Sequence, residues 1–229
     1  MNEGSLADIL CLKDLPEKSR VELEKKCRWR IFQPGQAIIQ HRDQSNAVYA
    51  LAKGKVEVKI YSGTGKVVDF RVIEAGYTFG EYAAIDGKPR SATVEAKTEC
   101  LVGTIAASDF VELLRTDPAI SFHFIVHLVG QMRDMTQRMV ELSTLAVRHR
   151  IHAELLRLVR KEKAAGDRAM ISQKPTDNEI ANRVATDRAS VTREMRRLTK
   201  EGLVQREGRV LHVLDVPRLE RMVGEVEMS

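Results

Sequence analysis

An α+β chain of three consecutive parts is what the residue pattern predicts: a jelly-roll β structure over 1–116, a long helix over 117–147 and a compact unit over 148–229. Three observations lead there. Between Trp29 and Ile105 short apolar–polar alternations are broken by glycines, the pattern of many short strands closed by turns. From Asp117 the apolar period becomes helical and stays so for about thirty residues. Beyond Thr176 two short amphipathic segments precede another alternating stretch, and the chain's positive charge collects in this last part.

In the first part, Val56-Glu57-Val58-Lys59-Ile60 has the period of two of a half-buried strand. Ser62 to Lys66 reads as a hairpin turn into Val67–Ile73. Gly76, Gly87 and Gly103 punctuate later segments, and Thr93 to Ala96 alternates again. Asp14 to Cys27, with Leu15, Val21 and Leu23, predicts a short helix packed on the roll.

The segment Phe79 to Val94 carries the chemistry of this part. It orders a glycine, a carboxylate, an arginine and a hydroxyl as Gly80, Glu81, Arg90 and Ser91, a set suited to a small cyclic phosphodiester. A carboxylate accepts from a ribose hydroxyl, and an arginine fork offers paired donors to phosphate oxygens. A helix opening at Gly80-Glu81 would aim free N–H groups at the same anion.

In the second part Ile125, Leu128, Met132, Met135, Met139, Leu142 and Ala146 alternate at spacings of three and four. Those are heptad a and d positions over more than three repeats, which predicts a two-stranded parallel coiled coil and hence a homodimer. Core packing within one chain is the plainer reading of a methionine stripe, but this stripe runs beyond one domain face. A hinge to the last part is expected near Leu145 to Arg150.

In the third part Thr176-Asp177-Asn178-Glu179 is a capping box opening a helix that buries Ile180 and Val184. After a break at Ala185-Thr186-Asp187, with Asp187 a cap, Val191, Met195 and Leu198 form the inward stripe of a second helix. Arg188, Ala189, Ser190, Thr192, Arg193, Arg196 and Lys200 are then the candidates for its outer face. Leu203 to Arg206, a turn at Glu207-Gly208 and Arg209 to Val213 predict a β-wing, with Arg206 on it. A winged helix-turn-helix of this kind presents arginines to a DNA major groove.

Charge supports that division. Residues 1–147 hold 19 basic and 19 acidic side chains, whereas 148–229 hold 18 against 13 and so carry the whole net charge of +5. A neutral sensing part followed by a module that meets a polyanion is the expectation. No secretory signal or membrane-spanning run is apparent, so a soluble, cytoplasmic protein without a membrane partner is expected. Cys11, Cys27 and Cys100 fit no disulfide, zinc or iron–sulfur spacing and are read as reduced thiols. No nucleophile–base set, metal cluster or triphosphate loop marks an enzyme. Internal repetition, the mark of tandem nucleotide domains, is absent. His41, His123 and His127 are isolated and make a poor case for haem, so no cofactor or metal is expected.

The order of parts resembles the cyclic-AMP receptor/FNR family of bacterial transcription regulators, over nearly the whole chain. The family pattern FGE, eight residues, then R-[ST/A]-A is matched by Phe79-Gly80-Glu81 and Arg90-Ser91-Ala92. The resemblance implies that Glu81 binds the ribose 2′-hydroxyl and that Arg90 and Ser91 bind the cyclic phosphate, with backbone at Gly80, Tyr82 and Ala92 completing the pocket. It places Met135 and Thr136 where cyclic-AMP-responsive members usually hold the adenine edge with threonine and serine. Thr136 keeps a hydroxyl and Met135 does not. Ser91 could also meet a syn guanine, so cyclic AMP is the first expected ligand and cyclic GMP a second.

The family's base-reading positions fall on Arg188, Ala189 and Arg193. Arginine reads guanine bidentately, and a methyl at Ala189 suits thymine. A palindromic operator with TGT-like half-sites is implied, differing from TGTGA at its inner positions. Arg196, Lys200 and Arg206 would mainly touch phosphates. RNA polymerase is a further implied partner, with the loop Lys161 to Met170 a candidate contact. The alternative is a regulator of the same family that answers another signal or binds DNA without ligand.

Overall fold

A computed structural model describes residues 4–12, 15–61, 67–162, 166–172 and 174–227. The predicted turn Ser62–Lys66, Asp14 and the centre of the 161–170 loop lie outside them. Two compact units result, residues 1–132 and 133–229, with the boundary inside one long helix.

The first unit is the expected roll. Strands β1 (Arg28–Phe32), β2 (Ala37–Ile39), β3 (Val48–Lys53), β4 (Lys55–Tyr61), β5 (Val67–Glu74), β6 (Thr78–Phe79), β7 (Thr93–Ala96) and β8 (Cys100–Ile105) form two four-stranded sheets, ordered β1-β8-β3-β6 and β2-β7-β4-β5. Every pairing is antiparallel, and the strand order makes neighbours of strands distant in sequence, such as β1 and β8. Val56, Phe79, Val94 and Val102 are buried together with Leu51 and Cys100. Large apolar side chains of this kind contribute about 1.5–3 kcal/mol each on burial.

Helices close the roll. Helix α1 (Glu17–Lys26) buries Leu23, and Leu15 just before it is buried too. Val21, expected to pack with them, is 39% exposed: two residues from Leu23, it lies about 200° around the helix. Helices α2 (Glu81–Asp86) and α3 (Ala107–Thr116) follow, then α4 (Pro118–Thr144). Phe110 of α3 meets Phe124 of α4 edge-on at 5.6 Å between ring centres, in a second core with Leu6, Ile9, Leu12 and Ile120.

Helix α4 ends earlier than the heptad reading requires. Thr144 is its last residue, and Ala146 is the extended N-cap of α5 (Val147–Lys161), so Ala146 lies outside the stripe and the break falls at the expected hinge. Leu128 also leaves the stripe, packing on the first unit's core. Ile125, Met132, Met135, Met139 and Leu142 are exposed in the single chain.

In the second unit α6 (Asp177–Arg183) and α7 (Arg188–Lys200) form the predicted helix pair, and β10 (Val204–Glu207) and β11 (Val210–Val213) the wing. Glu207 pairs with Val210, so the turn is Gly208-Arg209, one residue later than expected, with Gly208 at φ 58°. Three elements of this unit escaped the sequence reading: α5 as a separate helix, β9 (Ala169–Ile171) paired to β11, and α8 (Val216–Glu227). Ile151, Leu155, Ile180, Val191, Met195, Leu198, Leu211 and Leu219 fill one core beneath them.

Candidate ligand pocket and nucleic-acid interface

The glycine-led cassette is built as a strand-to-helix corner. Gly80 has φ 83°, a left-handed conformation that L side chains rarely adopt. A Cβ there would stand 2.9 Å from both Arg90 Nη1 and Ile39 Cδ1. The corner turns β6 into the six-residue α2, which stops at a second left-handed glycine, Gly87.

Glu81 opens that helix and is only 5% exposed. Its Oε2 is buried with no hydrogen-bond partner. Burial pushes its carboxyl above the usual range, partly opposed by the nearby charges of Arg71 and Arg90.

Arg90 is 3% exposed and donates from each guanidinium nitrogen: Nη1 to Gly80 O at 2.7 Å, Nη2 to Ala47 O at 2.7 Å and Nε to Ser45 Oγ at 3.1 Å. The Tyr49 ring lies 5.6 Å from its guanidinium carbon and stacks on Phe79 at 5.3 Å. A buried arginine that keeps its charge needs such a shell.

The fold therefore brings Gly80, Glu81 and Arg90 together. Ser91 is exposed and Ala92 half-buried, directly after Arg90. The Tyr82 hydroxyl donates to Gln131 Oε1 of α4 at 3.4 Å, and Gln131 Nε2 lies 2.6 Å from Nε2 of His127, which stacks on Tyr77. Met135 and Thr136 belong to the second unit, both with exposed side chains. Ser45, Ala47, Tyr49, Arg71 and Gln131 were missed by sequence reasoning. They reach the cassette through strand order and helix packing, for which no local spacing is a signal. Tyr49, for instance, is opposite Phe79 in the β3–β6 pairing.

The helix pair is positioned by its caps. Thr176 and Glu179 close the capping box, and Asp187 caps α7, accepting from Ser190 N and Ser190 Oγ at 2.8 Å each. With Val191, Met195 and Leu198 fully buried, Arg188, Ala189, Arg193, Arg196 and Lys200 point outward and are exposed. Three predicted contacts are less available. Ser190 is held by Asp187 and accepts from Arg193 Nη2 at 3.2 Å, while Thr192 donates to Asp177 Oδ2 at 2.9 Å. Arg206 on the wing donates to Asp177 Oδ1 at 3.2 Å. Met195, Arg196, Thr199, Lys200 and Arg206 line one open depression between α7 and the wing.

Two charged networks anchor these helices. His152 Nε2 on α5 lies 2.6 Å from Glu194 Oε1 on the inner face of α7, and Arg197 holds the same carboxylate. Elsewhere Arg157 of α5 bridges Glu141 in the last turns of α4 to Glu154, whose other oxygen accepts from Arg183 of α6. Among the described residues no group of three or more His, Cys, Asp or Glu side chains could hold a metal ion. No described helix is long and apolar enough to cross a membrane.

The first unit thus carries a buried Glu81 and Arg90 at a strand-to-helix corner of a β-roll, and the second a winged helix-turn-helix with an arginine-bearing outer face. Residues 29–117 match the family described as Cyclic nucleotide-binding domain, and residues 149–222 match the Crp-like helix-turn-helix domain. The transcriptional regulator LdrP of Thermus thermophilus is 30% identical over 198 residues, covering 84% of this chain and 95% of that protein. The cAMP-activated global transcriptional regulator Vfr of Pseudomonas aeruginosa is 28% identical over 191 residues, covering 82% and 89%. The crystal structure of a CRP-family transcriptional regulator, also from Thermus thermophilus, superposes with TM-score 0.69 at 27% identity, covering 85% and 96%. The chain belongs to the CRP/FNR family of DNA-binding transcription regulators. Members of this family are regulators rather than enzymes.

Proposed function

We propose that the chain is a cytoplasmic, cyclic-nucleotide-responsive regulator, with cyclic AMP its first ligand and cyclic GMP a second. The observation that carries the reading is Glu81: a carboxylate oxygen buried without a partner costs free energy that a ribose hydroxyl donor would offset. Arg90 and Ser91 would receive the cyclic phosphate, and backbone at Gly80, Tyr82 and Ala92 would complete the site. The exposed stripe Ile125, Met132, Met135, Met139 and Leu142 would pair with its copy in a homodimer. Thr136 of the second protomer would then supply a wall of the pocket, and ligand would shift the dimer towards a DNA-binding state. Arg188, Ala189 and Arg193 would read a palindromic TGT-type operator, with RNA polymerase the downstream partner. Several relatives are named as cAMP-activated regulators.

A second reading, DNA binding without nucleotide, is favoured by Arg90, whose three nitrogens already have protein acceptors. One titration separates them. A labelled TGT-type duplex is titrated at fixed salt with no nucleotide, cyclic AMP or cyclic GMP. Tightening of about tenfold or more by a nucleotide, abolished by Arg90→Leu, is expected. Equal binding in all conditions overturns the proposal in favour of the second reading.

A further inference from the structure

Asp177 occupies a place that DNA binding by this surface does not explain. It is the first residue of α6, and its carboxylate takes three donors from three different places in the reader. Lys174 Nζ lies 2.9 Å from Oδ1, Arg206 Nη2 of the wing 3.2 Å from the same oxygen, and Thr192 Oγ1 of α7 2.9 Å from Oδ2. The Asp177 side chain is 13% exposed and that of Lys174 10%, whereas Arg206 remains 38% exposed. Arg206 also lines the depression it shares with Arg196 and Lys200. An anion is thus fixed at the edge of the face that presents the cationic side chains.

Such an anion has two physical consequences. It neutralises much of the charge that Arg206 and Lys174 would otherwise offer to any phosphate, whatever the sequence. It also fixes the wing and α7 in one geometry, since Arg206 and Thr192 share a single carboxylate. Sequence-independent DNA affinity arises almost wholly from cation–phosphate neutralisation, whereas base readout depends on placement of the reading helix. An internal counter-anion therefore weakens the first while holding the second.

We infer that Asp177 is a specificity-determining residue of the DNA reader, an internal competitor for phosphate that suppresses non-specific binding by Lys174 and Arg206 and positions Thr192 on α7. The inference rests on the DNA-contact roles proposed above for the outer face of α7 and the wing. Its partners hold the carboxyl below the usual range against the effect of burial, which keeps it an anion at neutral pH.

The test uses the full chain with cyclic AMP present, a scrambled duplex and the preferred operator duplex, between about 50 and 200 mM salt. Asp177→Asn is expected to bind the scrambled duplex about tenfold more tightly at the low-salt end. Its log–log salt slope should steepen by about one to two, and its preference for operator should narrow. Thr192→Val, which leaves the carboxylate and both cations in place, should keep the wild-type slope. Arg206→Gln gives a second reading that does not need Asp177→Asn to fold. Its slope should fall by much less than the roughly 0.9 expected for a free phosphate contact. Unchanged scrambled-duplex affinity and slope in Asp177→Asn overturns the inference, and so does a full loss of about 0.9 in Arg206→Gln. Wild-type operator binding without nucleotide dependence would count against the proposed ligand and leave this test standing.

Discussion

Replacing Arg157 by methionine should detach the last turns of the long helix from the DNA-binding unit. Arg157 Nη1 donates to both oxygens of Glu141, at 2.7 and 2.8 Å, and Nε donates to Glu154 at 3.0 Å. Glu141 and Glu154 are 7% and 2% exposed. Arg183 would still hold Glu154 at 3.1 Å, but Glu141 would lose both of these hydrogen bonds. Breaking a buried pair by removing one partner costs about 3–5 kcal/mol. The Arg157 side chain is 26% exposed, so the lower end, about 3 kcal/mol, applies. For a unit of this size each kcal/mol shifts the midpoint by about 4–8 °C, so the second unit should melt about 12–24 °C lower. Scanning calorimetry of the full chain reads this directly, with urea unfolding as a check. Adding Glu141→Gln removes the stranded charge and should recover part of the loss. An Arg157→Met protein within about 0.5 kcal/mol of wild type would show that the network contributes no more than an exposed pair.

Acidification should weaken the second unit through His152. Burial holds its pKa below the ordinary 6.5 despite Glu194, and its Nδ1 is buried without a partner, so protonation would add a donor with no acceptor. The unfolded chain therefore takes up the proton first. Stability is full above about 6.5 and is lost as pH falls from there towards the depressed folded value, at about 1.4 kcal/mol per pH unit for one proton. His152→Phe should flatten that part of the urea stability–pH profile, and an unaltered slope would count against it. In the first unit Gly80→Ala forces a positive φ on a residue with a Cβ and crowds Arg90 and Ile39. A loss of about 1–2 kcal/mol is expected, together with weakened nucleotide response; full stability in a thermal melt would show that the corner relaxes freely.

The parts that were legible from sequence are those whose signal is local. Thr176 and Glu179 lie within one turn of each other, and Asp187 caps the residues that follow it; both were found at the right place. The strand Thr93–Ala96 has the limits its alternation predicts, because alternation is a property of neighbours. Helix α5 was hidden because His152 and Glu154 are buried by partners on α7 and α6, so its polar residues did not read as an inward face. Periodicity places Thr192 on the outer face and Arg206 on the wing, but it carries no signal of Asp177, 15 and 29 residues away, which holds both.

Short stretches of sequence suffice for the long helix, the capping box at Thr176, the wing strands and the charged outer face of α7, since periodicity, caps and side-chain chemistry are local. Which charges are already paired and which remain available follows from the tertiary packing. Arg90 has its shell from Ser45 and Ala47, Glu141 has Arg157, and Arg206 has Asp177. Hydrogen bonds and ion pairs act over a few ångströms, and strand order and helix packing set which distant residues come within that range.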